Sequence, residues 1–465
     1  MFAGIAIAHW LTLHGLVAAL GVLVYVVTTH AMRQRRQPAA AIAWILFILL
    51  LPYLALPAYL TLGSRKLARP HPRPPVVAAA PEAEAGSWPV ETVIALGQPA
   101  PAAYRDFNLH RDGLEARRAL LDVIGAARHT VDLCTFILRR DRLGDAVLDA
   151  LCQAARRGVR VRLLLDGLGH LMAGRPKFAR LVEAGGRYAL FVPPLSSPLK
   201  GRTNLRNHRK LVVADAESDA ARLWCGGRNL AAEYFEGAAG IPPWRDLSFD
   251  LRGPLVRQAA ATFEHDWRFA NGLPTPEATV ASDAPPAAEG AQWIASGPDQ
   301  LDDTVYALLV TAAYRACRRI ALVTPYFVPE PALLMALCLA ARRGVDVDLL
   351  LPERSNHRLS DLARSRALRT LALAGARIRL APGMLHAKLI LVDDILALAG
   401  SANLDNRSLF LNYEFMVAFH RRAEVLRFAA WFADECRGAR PYVATPPGLL
   451  RDVAEGTLLW LGFQL

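Results

Sequence analysis

Two histidine–lysine pairs are the residues in this sequence whose types and spacing could do chemistry. The stretch LHAKLILVDD, which begins at Leu385, places His386 and Lys388 two residues apart in an apolar run. On a regular strand such side chains share one face, and two potential cations on a buried face lose hydration unless an anion meets them. The pattern indicates an anion-binding site, although an isolated H-x-K also fits a half-exposed edge strand.

The same pattern occurs earlier in the chain, in NHRKLVVADAESDAARLWCGGRNL. The matching positions are His208 with His386, Lys210 with Lys388, Asp215 with Asp393, Gly226 with Gly400, Gly227 with Ser401, and Asn229 with Asn403. The stretch LCQAARRGVRVRLLLD likewise returns as LCLAARRGVDVDLLLP. Such dense identity in register indicates an internal duplication, which argues against the edge-strand interpretation.

Two copies that pack about a pseudo-twofold axis would bring both motifs to one cleft. The cleft would then hold two imidazoles, two ammonium groups and two amides, a set that suits a phosphate diester. Lysine and asparagine side chains could hold the non-bridging oxygens, while one imidazole attacks phosphorus and the other protonates the leaving alcohol. Small residues would let the backbone approach closely; they are Gly226, Gly227, Gly400 and Ser401.

Acidic residues fall into two groups. Asp215 and Asp393 lie an odd number of residues after their histidines, so on a regular strand they face away from the cleft and are predicted to bond backbone. Asp246, in PWRDLSFDLRG, and Glu414, in SLFLNYEFMVAF, lie on later apolar runs. We expect these two carboxylates to orient the imidazoles, as in a catalytic triad.

Helix and strand patterns alternate through both copies, which predicts an α/β fold. We expect two duplicated α/β/α sandwich domains with largely parallel sheets and an active site at their interface. The predicted domains cover residues 102–272 and 291–436, with a linker at 273–290.

The N-terminal region contains two uncharged apolar runs, Phe2 to Met32 and Gln37 to Ser64. Each is long enough to cross about 30 Å of hydrocarbon as a helix, so residues 1–66 are predicted to form a transmembrane hairpin. Pro52 and Pro57 should kink or break its second helix. A cleaved signal peptide fits poorly because no basic segment precedes the first run. Residues 67–101 are rich in proline and alanine and predict a linker.

Composition limits the partners and the compartment. The net charge is +12, which favours anionic partners such as nucleic acid, phosphate esters or an anionic membrane. Six scattered cysteines with no C-x-x-C indicate neither a zinc site nor a disulfide framework. The C-terminal tail, 437–465, carries Trp460 and Phe463. It is expected to lie on the membrane, to cap the cleft, or to pack on the core.

These motifs resemble the phospholipase D superfamily, whose signature is H-x-K-x4-D-x6-G-S-x-N. The second copy matches the signature throughout, whereas the first has ten residues between Asp215 and Gly226, and Gly227 in place of serine. The two-helix N-terminus, PWRD, TPYFVPEPAL and GSANLDNRSLFLNYE make the chain most similar to bacterial cardiolipin synthases. That resemblance covers nearly the whole chain.

The resemblance implies condensation of two phosphatidylglycerols to cardiolipin and glycerol, through a phosphatidylated histidine and without a metal or other cofactor. It implies that His208 is the nucleophile and His386 the acid and base, and we expect Asp246 to orient His208 and Glu414 to orient His386. The expected location is the bacterial inner membrane, multi-pass, with cytosol-facing catalytic domains and no nucleic-acid partner. The alternatives are a hydrolase or a headgroup transferase on other phospholipids, a nuclease, and a non-catalytic membrane scaffold.

Overall fold

The computed structural model describes residues 2–31, 38–63, 88–174, 176, 178–193, 203–237, 240–274, 290–300 and 302–461. Its helices are α1 (Phe2–Ala31), α2 (Pro38–Leu50), α3 (Pro52–Leu62), α4 (Trp88–Ala95), α5 (Gly113–Ala126), α6 (Arg142–Arg156), α7 (Gly167–Met172), α8 (Ala179–Glu183), α9 (Leu255–Ala270), α10 (Thr304–Arg315), α11 (Pro331–Arg342), α12 (Arg358–Leu373), α13 (Asn406–Phe410), α14 (Arg422–Cys436) and α15 (Leu449–Leu461).

The strands of the first copy form a seven-stranded sheet in the order β1-β8-β7-β6-β2-β3-β4. Their bounds are β1 (Arg105–Leu109), β2 (Thr130–Thr135), β3 (Arg160–Asp166), β4 (Arg187–Phe191), β6 (Leu211–Ala214), β7 (Arg222–Gly226) and β8 (Ser248–Arg252). A two-residue strand of the first copy, β5 (Arg206–Asn207), is not part of this sheet but pairs in parallel with a strand of the second sheet.

The second sheet runs β18-β13-β12-β10-β14-β15-β17-β5, and β9 also pairs with β17. Its strands are β9 (Ala291–Ser296), β10 (Arg319–Val323), β12 (Asp346–Pro352), β13 (Arg377–Ala381), β14 (Leu389–Val392), β15 (Leu396–Gly400), β17 (Asn412–Phe419) and β18 (Arg440–Pro441). A separate small pair is formed by β11 (Phe327–Val328) and β16 (Leu404–Asp405).

Both copies are built alike, which confirms the duplicated α/β domains. In the first copy β2 is parallel to β3 and antiparallel to β6; in the second, β10 is parallel to β12 and antiparallel to β14. The expectation of largely parallel sheets is wrong. Each motif folds as an antiparallel hairpin, β6–β7 or β14–β15, because its two strands are joined directly and no crossover helix lies between them.

Buried apolar side chains form layers on the two sheets. One cluster lies under α5 and α6 against the first sheet, and another under α10, α11 and α12 against the second. A third contains residues of α9, α14 and strands of both copies, including Phe249 and Phe419 at a ring distance of 5.3 Å. The two copies therefore share a continuous core, which fixes how their motifs face each other.

The two N-terminal apolar runs differ in whether they form one continuous helix. Among the residues that the structure describes, one helix is long and apolar enough to cross a membrane, at Trp10–His30 within α1. The second run is broken at Leu51, between the 13-residue α2 and the 11-residue α3, because Pro52 has no N–H to continue the helix. The predicted break is present, whereas a second continuous spanning helix is not described.

Two predicted boundary segments contain ordered structure. The linker expected over 67–101 includes α4, whose Trp88 and Val93 are buried in the cluster beneath α10; residues 67–87 lie outside the described part. The tail predicted from 437 adds β18 to the edge of the second sheet and then α15. Glu455 of α15 is buried and paired with Arg369 of α12 at 2.5 Å, so this helix packs on the domain through its polar side.

Candidate active site

His208 is held by the opposite copy. Its backbone N–H donates to the carbonyl of Tyr413 (2.9 Å), directly after β5 pairs with β17. Its Nδ1 then lies 2.9 and 3.1 Å from the two carboxylate oxygens of Glu414. Because a carboxylate only accepts, Nδ1 carries the hydrogen and Nε2 keeps a free lone pair. Phe136 packs edge-on against the imidazole at 5.3 Å.

His386 is held in the same crossed way. Its backbone N–H donates to the carbonyl of Arg245 (2.6 Å), and its Nδ1 lies 2.7 Å from Oδ2 of Asp246. The expected pairing of Asp246 with His208 and of Glu414 with His386 is therefore wrong. The backbone N–H of each histidine donates to the carbonyl of the residue that precedes the acid in the other copy. Each carboxylate therefore lies against the histidine of the other copy.

The two motif lysines are almost fully buried. Lys210 Nζ donates to the carbonyl of His208 at 2.5 Å, and Lys388 Nζ lies 3.1 Å from Nε2 of His386 and also bonds that residue's carbonyl. Burial lowers the pKa of Lys210 to about 7 and that of Lys388 to about 8. Glu414 and Asp246 oppose the shift, because carboxylates favour the charged ammonium.

The two motifs begin just before β6 and β14 and not inside regular strands.

The histidines and their carboxylates have displaced pKa values. Burial lowers the pKa of His208, against the attraction of Glu414, and burial together with Lys388 lowers that of His386 to about 3. Burial would raise the pKa of both carboxyls, but the facing imidazoles and lysines hold Asp246 at about 2 and Glu414 below its usual value. Burial therefore disfavours the charged form of both imidazoles, and each of them faces a carboxylate.

The two copies differ at the serine of the signature. Ser401 donates to Glu414 Oε2 at 2.5 Å, so the second copy uses its serine to fix the carboxylate. In the first copy a Cβ on Gly227 would lie 2.3 Å from Oδ1 of Asp246. Asp246 instead receives the backbone N–H of Leu247 at 2.7 Å. The glycine leaves room for the shorter acid to reach His386.

The motif asparagines and glycines surround these pairs. Asn229 Nδ2 donates to the hydroxyl of Tyr234 at 2.9 Å. The Oδ1 atoms of Asn229 and Asn403 are buried and have no hydrogen-bond partner among the described residues. At Gly226 and Gly400 an added Cβ would meet the carbonyls of Leu247 and Phe415 at 2.4 and 2.3 Å, so strand packing requires glycine at both positions.

Asp215 and Asp393 bond backbone and lie away from the imidazoles. Asp215 accepts the N–H groups of Arg128, His129 and Thr130 at 2.7–2.8 Å. Asp393 accepts those of residues 317–319 at 2.8–3.1 Å. Both have positive φ, 52° and 49°, at the turn of the motif hairpin. These contacts agree with the backbone role that their sequence parity predicts.

Two buried arginines behind the site were not expected from the sequence. Arg209 donates to the carbonyl of Glu414 (2.9 Å) and pairs with Asp266 (2.5 Å). Arg228 donates to the carbonyl of Tyr234 (3.1 Å) and to Ser248 (2.7 Å). They occupy the variable positions of H-x-K and G-G-x-N, where the second copy has Ala387 and Ala402. That difference between the copies was the available sequence signal.

Aromatic rings enclose the His386 side of the site. Tyr234 packs edge-on against His386 at 5.1 Å, and Trp244 lies 5.9 Å from the same ring. Burial raises the pKa of Tyr234 well above its usual value, and nearby Tyr326 adds to this shift. Across the residues that the structure describes, no cluster of three His, Cys, Asp or Glu side chains could hold a metal ion.

Family models match both copies of the domain and the N-terminal apolar region. The model described as "Cardiolipin synthase, PLD-like domain" matches residues 120–267 and 309–436, and "Phospholipase_D-nuclease N-terminal" matches residues 17–64. The chain belongs to the cardiolipin synthase family. It is thereby a member of the phospholipase D superfamily, with two copies of the domain.

Curated relatives of this cardiolipin synthase-family chain span nearly its full length. It is 33% identical over 422 residues to cardiolipin synthase A of Pseudomonas entomophila, covering 86% of each chain. It is 34% identical over 425 residues to the Pseudomonas aeruginosa protein of that name, covering 86% of this chain and 85% of the relative. The crystal structure of a Haemophilus influenzae phosphatidylserine synthase covers 82% of this chain and is itself covered fully, with a TM-score of 0.63. At 12% identity it supports the fold alone.

Proposed function

We propose that this protein is a phosphatidyltransferase that condenses two phosphatidylglycerols to cardiolipin and glycerol. The observation that carries the proposal is the crossed pair of imidazole–carboxylate contacts, His208–Glu414 and His386–Asp246, flanked by two buried lysines. Such a set can bind a phosphodiester, attack it and protonate a leaving alcohol. Family membership and relatives named cardiolipin synthase A give the substrate class.

In the first step, Nε2 of His208 attacks the phosphorus of one phosphatidylglycerol. The P–N bond forms as the bond to the glycerol oxygen breaks, and His386 gives that oxygen its proton. Lys210, Lys388 and the two motif asparagines would hold the phosphate oxygens as charge develops. Burial and Lys388 lower the pKa of His386. The bound phosphate anion would raise its pKa and let it carry the proton.

In the second step, neutral His386 takes the proton of a hydroxyl on the second phosphatidylglycerol. That oxygen attacks phosphorus, the P–N bond breaks, and His208 is released as the neutral imidazole. Water competes for the same intermediate. Phe136, Tyr234 and Trp244 pack against the two imidazoles, and we infer that these rings restrict water and favour transfer over hydrolysis.

The decisive experiment measures lipid products of the purified full-length enzyme reconstituted with phosphatidylglycerol. We expect cardiolipin and glycerol in equal amounts. Phosphatidic acid as the main product would instead identify a hydrolase of the same fold. A phosphatidylglycerol analogue whose leaving group needs no protonation tests the roles of the histidines. His386→Ala should accumulate a covalent adduct on His208, and His208→Ala should form none; an adduct on His386 would reverse the assignment.

We further propose that the N-terminal residues form a multi-pass membrane anchor and that the catalytic domains face the cytosol. The apolar helix within α1 and the α2–α3 pair that packs on it support the anchor. The arginines that follow each apolar run compete in setting the orientation. Labelling a cysteine placed at Leu373 with a membrane-impermeant reagent, in intact and in permeabilised cells, tests it. Labelling in intact cells would contradict a cytosolic location.

A further inference from the structure

The loops that follow the parallel strands lie around the mouth of the site. Phe136, directly after β2, contacts His208, and Asp166, at the end of β3, accepts the backbone N–H of Asn207 at 2.9 Å. In the second copy Thr324, directly after β10, accepts the N–H of Leu404 at 3.2 Å, next to Asn403. The carboxyl ends of β2, β3 and β10 therefore lie beside the segments that carry the site residues.

Three of the surrounding segments expose a large apolar side chain. Met172 ends α7, which packs on the carbonyl of Phe136 through Gly169. Ile241 lies three residues before Trp244, and Leu359 is the second residue of α12, two after His357, whose ring lies 6.0 Å from Tyr326. Their exposed fractions are 61%, 61% and 52%. Each apolar side chain is thus two or three residues along the chain from a residue that packs beside the site or beside Tyr326.

Basic side chains accompany them. Arg140 lies in the loop after β2, Arg354 follows β12, and Arg358 begins α12. All three are exposed, and within the described part of the chain none of them pairs with a carboxylate. We call the six residues Met172, Ile241, Leu359, Arg140, Arg354 and Arg358 the cleft rim. Apolar side chains among unpaired arginines are typical of surfaces that insert into an anionic bilayer.

We propose that the cleft rim docks on the surface of an anionic phospholipid bilayer, so that the site opens directly onto the lipids. This inference rests on the proposed function, because both substrates are lipids of such a bilayer. The three apolar side chains would enter the boundary between headgroups and acyl chains, and the arginines would lie at the phosphates. Glu455 and Arg451 contact Arg369 and Ser365 in the same order along both helices, so α15 runs parallel to α12, and its exposed Leu449 and Leu450 lie beside the first half of α12.

Helix α12 offers a matched pair of reporter positions. Leu359 lies at the rim, whereas Leu373, 81% exposed, ends the same helix, about 21 Å further along. Full-length protein carrying Cys317→Ser, since Cys317 is exposed, is labelled at Leu359→Cys or Leu373→Cys with a polarity-sensitive fluorophore. Each sample is then placed in nanodiscs of phosphatidylglycerol or phosphatidylcholine, with or without brominated acyl chains, and in detergent.

We expect a blue shift and strong bromine quenching at position 359 in phosphatidylglycerol, and neither at position 373. Equal quenching at both positions would mean that α12 lies flat on the bilayer and would overturn the proposal, as would no quenching at either. A blue-shifted label at 359 in detergent, unaffected by brominated lipid, would mean that protein covers the rim and would also overturn it. Replacing Arg140, Arg354 and Arg358 by glutamine should weaken docking about fivefold per arginine; unchanged quenching would remove these arginines from the docking surface.

Measuring turnover in bilayers and in micelles distinguishes a failure of bilayer docking from a failure of the proposed function. Met172→Glu and Ile241→Glu should each lower cardiolipin formation in bilayers about tenfold, and leave turnover in detergent micelles unchanged, with Leu373→Glu as the matched control. An equal loss in micelles and bilayers would contradict docking. If the fluorophore reports docking and no cardiolipin forms in either system, the proposed function fails and the docking surface stands.

Discussion

Substituting Gly227 by alanine should disable the site through a single contact. The new Cβ would lie 2.3 Å from Asp246 Oδ1 and 3.0 Å from its Cγ, whereas ordinary contact begins at 3.4 Å. The carboxylate must therefore retreat by about 1 Å, which would stretch its 2.7 Å bond to His386 beyond hydrogen-bonding distance. A displacement of this size costs about 10²-fold in turnover, and complete loss of the orienting acid about 10⁴-fold.

The assay is cardiolipin formation by the reconstituted enzyme, and we expect the Gly227→Ala rate to fall between these limits. Gly125→Ala is the matched control, because a Cβ there meets nothing within 4 Å. A double-mutant cycle gives the sharper test: in an Asp246→Ala background, Gly227→Ala should cause little further loss. Wild-type activity of Gly227→Ala, or two losses that multiply independently, would refute the reasoning.

Three further predictions concern residues around the site. Asp215→Asn should lower stability by about 2 kcal/mol, because three backbone N–H groups lose a charged acceptor, with kcat nearly unchanged; a large fall in kcat at full stability would contradict this. Arg209→Met should cost about 3–5 kcal/mol by removing the arginine partner of the buried Asp266, and adding Asp266→Leu should recover part of this loss, as thermal unfolding in detergent would show. His386 has a lowered pKa in the folded protein, so the folded state binds fewer protons than the unfolded state between about pH 3 and 6.5. The unfolding temperature should therefore fall as the pH drops below 6.5, and His386→Gln should flatten that dependence; an unchanged slope would oppose it.

Much of the fold could be predicted because the chain repeats itself. The repeated ARRGV helices and the strands after them have a local period and composition that indicate their structure. The motif spacing identified both histidines, both lysines and the backbone-bonding aspartates. Pro52 predicted the break in the second apolar run. The small strands and α4 were missed, since they depend on pairing and burial against distant segments such as α10 and not on local pattern.

Which acid faces which histidine could not be read from the sequence. Asp246 lies 38 residues after His208 and Glu414 lies 28 residues after His386, and neither spacing distinguishes pairing within a copy from pairing across copies. In the structure, the backbone N–H groups of His208 and His386 donate to the carbonyls of the residues just before the other copy's acid. The pairing is therefore across copies. Gly227 gave a partial signal, since a departure from the serine signature at a buried position implies that another group needs the space.

The crossed carboxylates make the site depend on both copies of the domain. Without the second copy, His208 would lack Glu414; without the first, His386 would lack Asp246. Neither histidine would then have a fixed tautomer. The shared apolar core enforces this dependence, because Phe249 and Phe419 are buried against each other. The two copies nevertheless differ beside these pairs, in Arg209 against Ala387 and in Gly227 against Ser401. The two histidines consequently lie in unlike surroundings, as their proposed roles of nucleophile and proton carrier require.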